Sequence, residues 1–272
     1  GPSSSHTVGP MRAAHRFLEQ LRSSPHLPEI EGIRCECYGS LAATGHGHGT
    51  DTAIMLGLLG EEPQTVVPRD IPGMIARLHQ QETLSVTEDK TVRFSPSRDL
   101  DLSHYQPLKL HPNGMLFTAV GKDGAPVEDA VFYSTGGGFV ASEQELLHPA
   151  EPDREPFPLP YESAEELLRM ADERHCPLSS IVMANECALL PESDVRERLD
   201  LIWTTMKQSI ASGMSARGNL PGGLQVPRRA KTLRKSLLVH GESALKDPLS
   251  IMDWINLYAI AVSEENAAGG RI

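Results

Sequence analysis

Residues 3–7 read Ser3-Ser4-Ser5-His6-Thr7, four hydroxyls and one imidazole in five consecutive positions, with Gly-Pro pairs on both sides. Hydroxyl groups in such density suit an oxyanion, and an imidazole moves protons near neutral pH. Val8, Met11, Ala14, Leu18 and Leu21 follow at helical spacing. The cluster therefore reads as the mouth of an amphipathic helix. Free amide groups and the positive end of the helix dipole make such a mouth a site for a carboxylate or phosphate. The competing reading is a serine-rich start that caps the helix and frays.

A second unusual stretch is Gly45-His46-Gly47-His48-Gly49-Thr50-Asp51, two histidines among three glycines. Glycines let backbone and imidazole approach a small ligand closely, and Thr50 or Asp51 is placed to cap the helix that follows. Imidazole is the side chain best suited to move a proton near neutral pH. The rival chemistry is a metal site, since His-x-His with a nearby carboxylate binds zinc. The stretch resembles the His-x-His-x-Asp-His motif of metallo-β-lactamase-like hydrolases, with the Asp displaced by one and the last His absent. Ser134-Thr135-Gly136-Gly137-Gly138 either cradles an anion or turns the chain.

These groups need a frame. The 272 residues suggest two domains, and 39% hydrophobic content suffices for real cores. No apolar run approaches the ~18–20 residues that span a bilayer, and no signal peptide is visible. A net charge of −11 argues against a nucleic-acid partner. Cys35, Cys37, Cys176 and Cys187 form no Cys-x-x-Cys pair, and free thiols fit a reducing cytoplasm. Cys35 and Cys37 alternate with charged residues, which puts both on the core face of a strand near 33–38.

The frame expected is an α+β amino-terminal domain with an antiparallel meander, followed by an all-α, incomplete domain. Residues 1–146 form the first, 147–162 a Pro-rich linker, and 163–272 the helical part. A helix is expected near 50–59, and strands at Leu108–Leu110, Met115–Val120 and Val127–Tyr133. Hairpin turns are expected at His111-Pro112-Asn113-Gly114 and Lys122-Asp123-Gly124. Ser163-Ala164-Glu165-Glu166 reads as a capping box opening a helix to about Arg174. A longer helix after Pro191 has Val195, Leu199, Ile202, Met206 and Ile210 as its apolar stripe and Gly213 as its stop. Residues 249–262 are apolar nearly all round, so they require burial on every side. Only ten residues follow, so further sequence or a partner subunit is expected to cover them. Arg217, Arg228, Arg229, Lys231, Arg234 and Lys235 are expected to pair with internal carboxylates, and Asn185-Glu186 to be partly buried.

The opening run from Gly1 to Pro10, Tyr38-Gly39-Ser40-Leu41, Gly47-His48-Gly49-Thr50-Asp51 and Gly136-Gly137-Gly138-Phe139 together resemble the bacterial iron–sulfur L-serine dehydratases. Val226-Pro227-Arg228-Arg229-Ala230 and the run from Glu264 to Arg271 resemble them too. The matches run in order over the whole chain. The resemblance implies a β domain related to a small-molecule-binding fold of some phosphoglycerate dehydrogenases, then a helical α domain. It implies deamination of L-serine to pyruvate and ammonia at a [4Fe-4S] cluster, without pyridoxal phosphate. One iron without a protein thiolate acts there as a Lewis acid on the substrate hydroxyl while a base removes the α-proton. By the same resemblance His48 transfers the proton, and Ser3, Ser4, Ser5, His6, Thr7 and Thr50 bind the substrate.

The family's cluster cysteines lie beyond the Ala-Ala-Gly-Gly-Arg motif. By that resemblance they are expected beyond Ile272, and no metal ligand is expected in this chain. The chain reads as a fragment or one subunit, inactive alone. It is expected to be cytoplasmic, with L-serine as partner, no nucleic acid or membrane, and association as a homo-oligomer such as a homodimer or with a complementary catalytic segment. Two alternatives remain: a serine-sensing module without catalysis, and a zinc hydrolase using His46 and His48.

Overall fold

A computed structural model describes residues 4–149, 157–220, 225–239 and 249–269. The amino-terminal part is an α/β unit on one mixed sheet, and the part after it is helical. Its strands are β1 (Gly32–Tyr38), β2 (Thr83–Ser85), β3 (Thr91–Arg93), β4 (Leu100–His104), β5 (Gly114–Val120), β6 (Pro126–Gly136) and β7 (Phe139–Ser142). Its helices are α1 (Gly9–Ser23), α2 (Ser40–His48), α3 (Thr50–Leu58), α4 (Ile71–Gln81), α5 (Pro96–Asp99) and α6 (Glu143–Leu147).

β5 and β6 are the expected strands of an antiparallel meander, with the Lys122-Asp123-Gly124 turn between them; β7 extends it antiparallel to β6, and β5 pairs antiparallel with β1. The other edge of β1 differs. It pairs in parallel with β3 at Gly32 and with β4 from Cys35 onward, which makes the sheet mixed. The strand expected at Leu108–Leu110 is absent, and His111-Pro112-Asn113-Gly114 leads into β5 instead of turning a hairpin. Pro107 and Pro112 bracket that stretch and have no amide hydrogen to give a ladder.

One face of the sheet holds the core. Cys35 and Cys37 are buried on it, as their alternation requires, beside Met115, Phe117 and Phe132. α1 lies across this face, with Phe17 stacked on Phe117 at 5.3 Å and Phe117 edge-on to Phe132 at 6.0 Å. α3 lies alongside α1, and Gly57 sits where they cross.

The helical part has α7 (Ala164–Arg174), α8 (Leu178–Cys187), α9 (Glu192–Ser215), α10 (Ala230–Val239) and α11 (Ser250–Ala267). The capping box is half made: Ser163 Oγ accepts from Glu166 N at 3.2 Å, but the Glu166 carboxylate takes Glu162 N instead. Asn185 is buried and holds both backbone groups of Leu159, at 2.9 and 2.8 Å. α9 runs past Gly213, which is no stop, because this glycine lets the Ala261 backbone of α11 approach. Val195 is buried, but Leu199, Ile202 and Met206 of the expected stripe are exposed. α11 buries Leu257 and Ala261 and leaves Ile251, Met252, Ile255 and Tyr258 exposed, so its burial on every side is not met within the described residues. Among the basic residues, Arg228 pairs with Glu265 at 2.8 Å. No described helix is long and apolar enough to cross a membrane.

A Cβ at Gly57 would stand 2.7 Å from Ala14 Cβ and 2.9 Å from His15 N, both on α1. Overpacking of this kind costs about 1–3 kcal/mol. Gly57→Ala is therefore expected to lower the unfolding free energy by that amount, read as a lower urea midpoint at unchanged slope; an unaltered midpoint would mean that the two helices are not in close contact.

Candidate functional site

Residues Ser4–Val8 wind a π-helical turn that runs directly into α1. The expected open mouth is thus a wider helical turn, and no side chain caps the start of α1. The Gly-His stretch is helical too: His46 and His48 are in the last turn of α2, and Gly49, in the left-handed conformation, ends it and starts α3. Glycine is the residue that reaches this conformation at no steric cost.

Three elements meet at the π turn. β1 and β6 are each antiparallel to β5, so they run the same way and end at the same edge. Ser40 follows the end of β1, Ser134 lies near the end of β6, and Thr50 begins α3. In open α/β sheets, ligands bind beyond this carboxyl edge.

His6 is held at both ring nitrogens, Nδ1 to Ser5 Oγ at 2.8 Å and Nε2 to Ser40 Oγ at 3.0 Å. Its ring lies 5.0 Å from that of His48, tilted by 52°. Thr7 Oγ1 donates to His48 O at 2.7 Å, so the turn also grips the backbone of the second histidine. Burial, then repulsion from His48, hold the His6 pKa below its ordinary value, against a hydrogen bond to the Ser40 backbone that raises it. The neutral imidazole is therefore the favoured form in the fold.

The structure brings Ser5, His6, Thr7, His48 and Thr50 into one cluster, with Ser4 exposed at its start. Ser3 lies outside the described residues. So does Ile272, the position beyond which the cluster cysteines are expected. Thr50 is wholly buried, and its hydroxyl donates to His6 O at 2.5 Å; it caps nothing. Asp51 is not the cap either: its carboxylate takes Thr52 N and pairs with His46 at 3.1 Å, which leaves His46 exposed and apart from the two facing imidazoles. Among the described residues no three His, Cys, Asp or Glu side chains are placed to hold a metal. Gly136, Gly137 and Gly138 all have positive φ and turn the chain from β6 to β7, with Gly138 O taken by Arg12 at 2.8 Å. Ser40 and Ser134 were not among the expected site residues. Both sit in stretches that the sequence marks, Tyr38-Gly39-Ser40-Leu41 and the residues before the triple glycine.

Residues 1–145 match the family described as serine dehydratase beta chain, and residues 173–272 the family described as serine dehydratase alpha chain. The first match alone covers more than half of the chain. The chain belongs to the serine dehydratase family. It is 41% identical over 274 residues to the L-serine dehydratase of Streptomyces coelicolor, covering 100% of this chain and 59% of that protein. The identity is 41% over 272 residues with L-serine dehydratase 1 of Escherichia coli, at the same coverage. It is 33% over 274 residues with the L-serine dehydratase of Helicobacter pylori, which the chain again covers to 59%. The chain thus spans 59% of the length of these relatives. In this serine dehydratase chain the facing histidines fall within the beta-chain match, and the Arg228–Glu265 pair within the alpha-chain match.

The depressed His6 pKa has a signed consequence. Between the ordinary value of 6.5 and the lower native value, the unfolded chain binds a proton that the folded chain does not. Stability is then expected to fall as pH drops through that window, and His6→Asn to flatten the slope. In an NMR titration His6 should titrate below 6.5, and His48→Ala should move it upward by removing the neighbouring charge. A His6 that titrates above 6.5 would contradict the arrangement.

Proposed function

We propose that the protein containing this chain deaminates L-serine to pyruvate and ammonia, and that this chain supplies the substrate-binding turn and the proton-transfer imidazole. The observation that supports this most is the approach of His6 and His48 inside a ring of hydroxyls at the carboxyl edge of the sheet. The names of the relatives agree with it.

In this reading Ser3 and Ser4 receive the substrate carboxylate at the first turn of the helix, where the dipole favours an anion, and Ser5 and Thr7, engaged with the His6 ring and His48 O, line the place where it binds. His6, fixed by Ser5 and Ser40, sets the floor of the pocket. The His48 ring nitrogens have no hydrogen-bond partner among the described residues, and its ring is exposed. His48 is thus the imidazole available to take the α-proton. Loss of that proton and of the β-hydroxyl, which leaves as water, gives an enamine. The enamine tautomerises to an imine, whose hydrolysis releases pyruvate and ammonia.

The resemblance also implies an iron–sulfur cluster, and the thiols of this chain do not fit one. Cys35 and Cys37 are 1% and 0% exposed in the sheet core. Burial pushes the Cys35 thiol well up, opposite to what a thiolate ligand needs. Cys176 and Cys187 flank α8 at its two ends and join no cluster of ligating side chains among the described residues. We therefore place the cluster ligands beyond Ile272, in the part of the protein that residues 1–272 do not include. We likewise read 1–146 and 163–272 as separate units joined by 147–162, in a cytoplasmic homo-oligomer.

His48→Ala in the complete protein is expected to lower pyruvate release from L-serine by ~10²–10⁴-fold, the usual worth of a general base. Iron and sulfide content should stay unchanged, and Ser5→Ala should act chiefly on KM. Retained turnover in His48→Ala would reject the assignment, and calorimetric binding of serine without any turnover in the unaltered protein would identify a serine sensor instead.

A further inference from the structure

The π turn runs into a helix with a proline in its first turn. In an α-helix the carbonyl of residue 6 is bonded by the amide of residue 10, and in a π-helix the carbonyl of residue 5 is bonded by that same amide. Residue 10 is proline, which has no amide hydrogen. Continuing the helix through Pro10 in either register thus takes the amide donor away from one of two carbonyls, Ser5 O or His6 O.

Two side chains from elsewhere in the fold donate to these same two carbonyls. Ser134 Oγ, from β6, donates to Ser5 O at 2.7 Å, and Thr50 Oγ1, from α3, donates to His6 O at 2.5 Å. Both residues are 0% exposed, so they lie out of reach of a substrate in solvent. Each sits in a notch left by a glycine. A Cβ at Gly9 would stand 2.8 Å from Ser134 Cβ and nearer still to its hydroxyl, and a Cβ at Gly45 would stand 3.1 Å from Thr50 Oγ1. Ser134 is fixed in turn by Asn113, which accepts from Ser134 N at 3.0 Å and donates from its side chain to Ser134 O at 3.2 Å. Buried hydroxyls in glycine notches, aimed at the carbonyls that a proline cannot serve, form a built arrangement.

We propose that Thr50 and Ser134 are positioning residues whose hydroxyls replace the amide hydrogen that Pro10 lacks, and so fix the turn that aims His6 at His48. This rests on the reading of the two imidazoles as the reacting site. Thr50, on this account, holds the pocket wall and does not touch substrate. Pro10 and the two hydroxyls form one unit: in either register the proline leaves one of the two carbonyls without its amide donor, and the hydroxyls serve both.

The test uses the complete protein and a Thr50→Val, Ser134→Ala, Pro10→Ala series. Thr50→Val and Ser134→Ala are each expected to lower kcat by ~10–100-fold, as small misplacements of reacting groups do, with a smaller change in KM. Thr50→Ser, which keeps the hydroxyl, should restore most of the rate. Pro10→Ala returns an amide hydrogen, so Thr50→Val made on that background should cost several-fold less than on the native one, a non-additivity that marks one unit. Independently of turnover, the NMR titration of His6 should shift in Thr50→Val as its ring leaves Ser40 and His48. Unchanged kcat and His6 titration in both single variants, or full additivity of Thr50→Val with Pro10→Ala, would overturn the proposal. Should Thr50→Val fail to fold, Thr50→Ser, Ser134→Ala and the Pro10→Ala pair decide it. Turnover retained in His48→Ala would instead sink the reading of the site, while the His6 titration would still report on the positioning.

Discussion

The packing of α1 against the sheet is the contact on which the rest depends. Phe17, Leu18 and Leu21 have no exposed surface, and side chains of that size contribute about 1.5–3 kcal/mol each when fully buried. The π turn is the amino-terminal continuation of the same helix, and its own residues bury little: Ser5, His6 and Thr7 are only part-buried. The turn does not hold itself in place. Its position over the ends of β1 and β6 is inherited from an aromatic stack a few turns away, in which Phe17 meets Phe117 and Phe117 meets Phe132. Core and site are therefore one mechanical object, and α3, pressed on α1 at Gly57, brings Thr50 and His48 to the same place.

Within the site the polar groups divide into committed and available ones. Ser134, Thr50 and Thr7 spend their hydroxyl hydrogens on backbone carbonyls, and of Ser5 and Ser40 one donates to the neutral His6 ring and the other accepts from it. What remains open toward solvent is the exposed Ser4 and the His48 ring. A cluster that looks uniformly reactive as a string of letters is thus mostly engaged in holding the turn. The low-dielectric side of His6 reinforces the division. Repulsion from the His48 ring adds to burial in holding the His6 pKa down.

Much of this was legible in the sequence, and the failures have definite physical causes. The alternation around Cys35 and Cys37 reported the buried face of β1 directly, and the β5–β6 turn announced itself through Lys122-Asp123-Gly124. The parallel partners of β1 were not readable, because β3 and β4 are short and their pairing depends on chain crossings rather than local pattern. Glycines are hard to read locally. Gly213 and the glycines around His46 and His48 suggest helix ends or loops, yet Gly213 is inside α9, where the backbone of α11 needs the space, and Gly45 and Gly47 are inside α2. Local propensity registers the cost of such a glycine and not the neighbour it admits. The same blindness hid Ser134 and Ser40, whose roles exist only once β6, β1 and the amino terminus meet.

The helical part obeys a different constraint, because among the described residues its apolar core is small. Ala230, Leu237, Leu257 and Ala261 are its buried members around α10 and α11, too few to orient these helices by volume alone. A carboxylate does this instead. Glu264, 4% exposed at the end of α11, accepts from Arg229 N at 2.6 Å and Ala230 N at 3.4 Å, the first amides of α10. A helix start offers unpaired donors and a positive dipole end, so a buried anion there is stabilised in the one place where it needs no ion of its own. Its neighbour Glu265 takes Arg228, with both side chains mostly buried. Leaving either partner alone in that setting is costly, which makes the pairing directional: α10 fits α11 in one register. Two motifs far apart in the sequence, Val226-Pro227-Arg228-Arg229-Ala230 and the run from Glu264, thus describe a single junction.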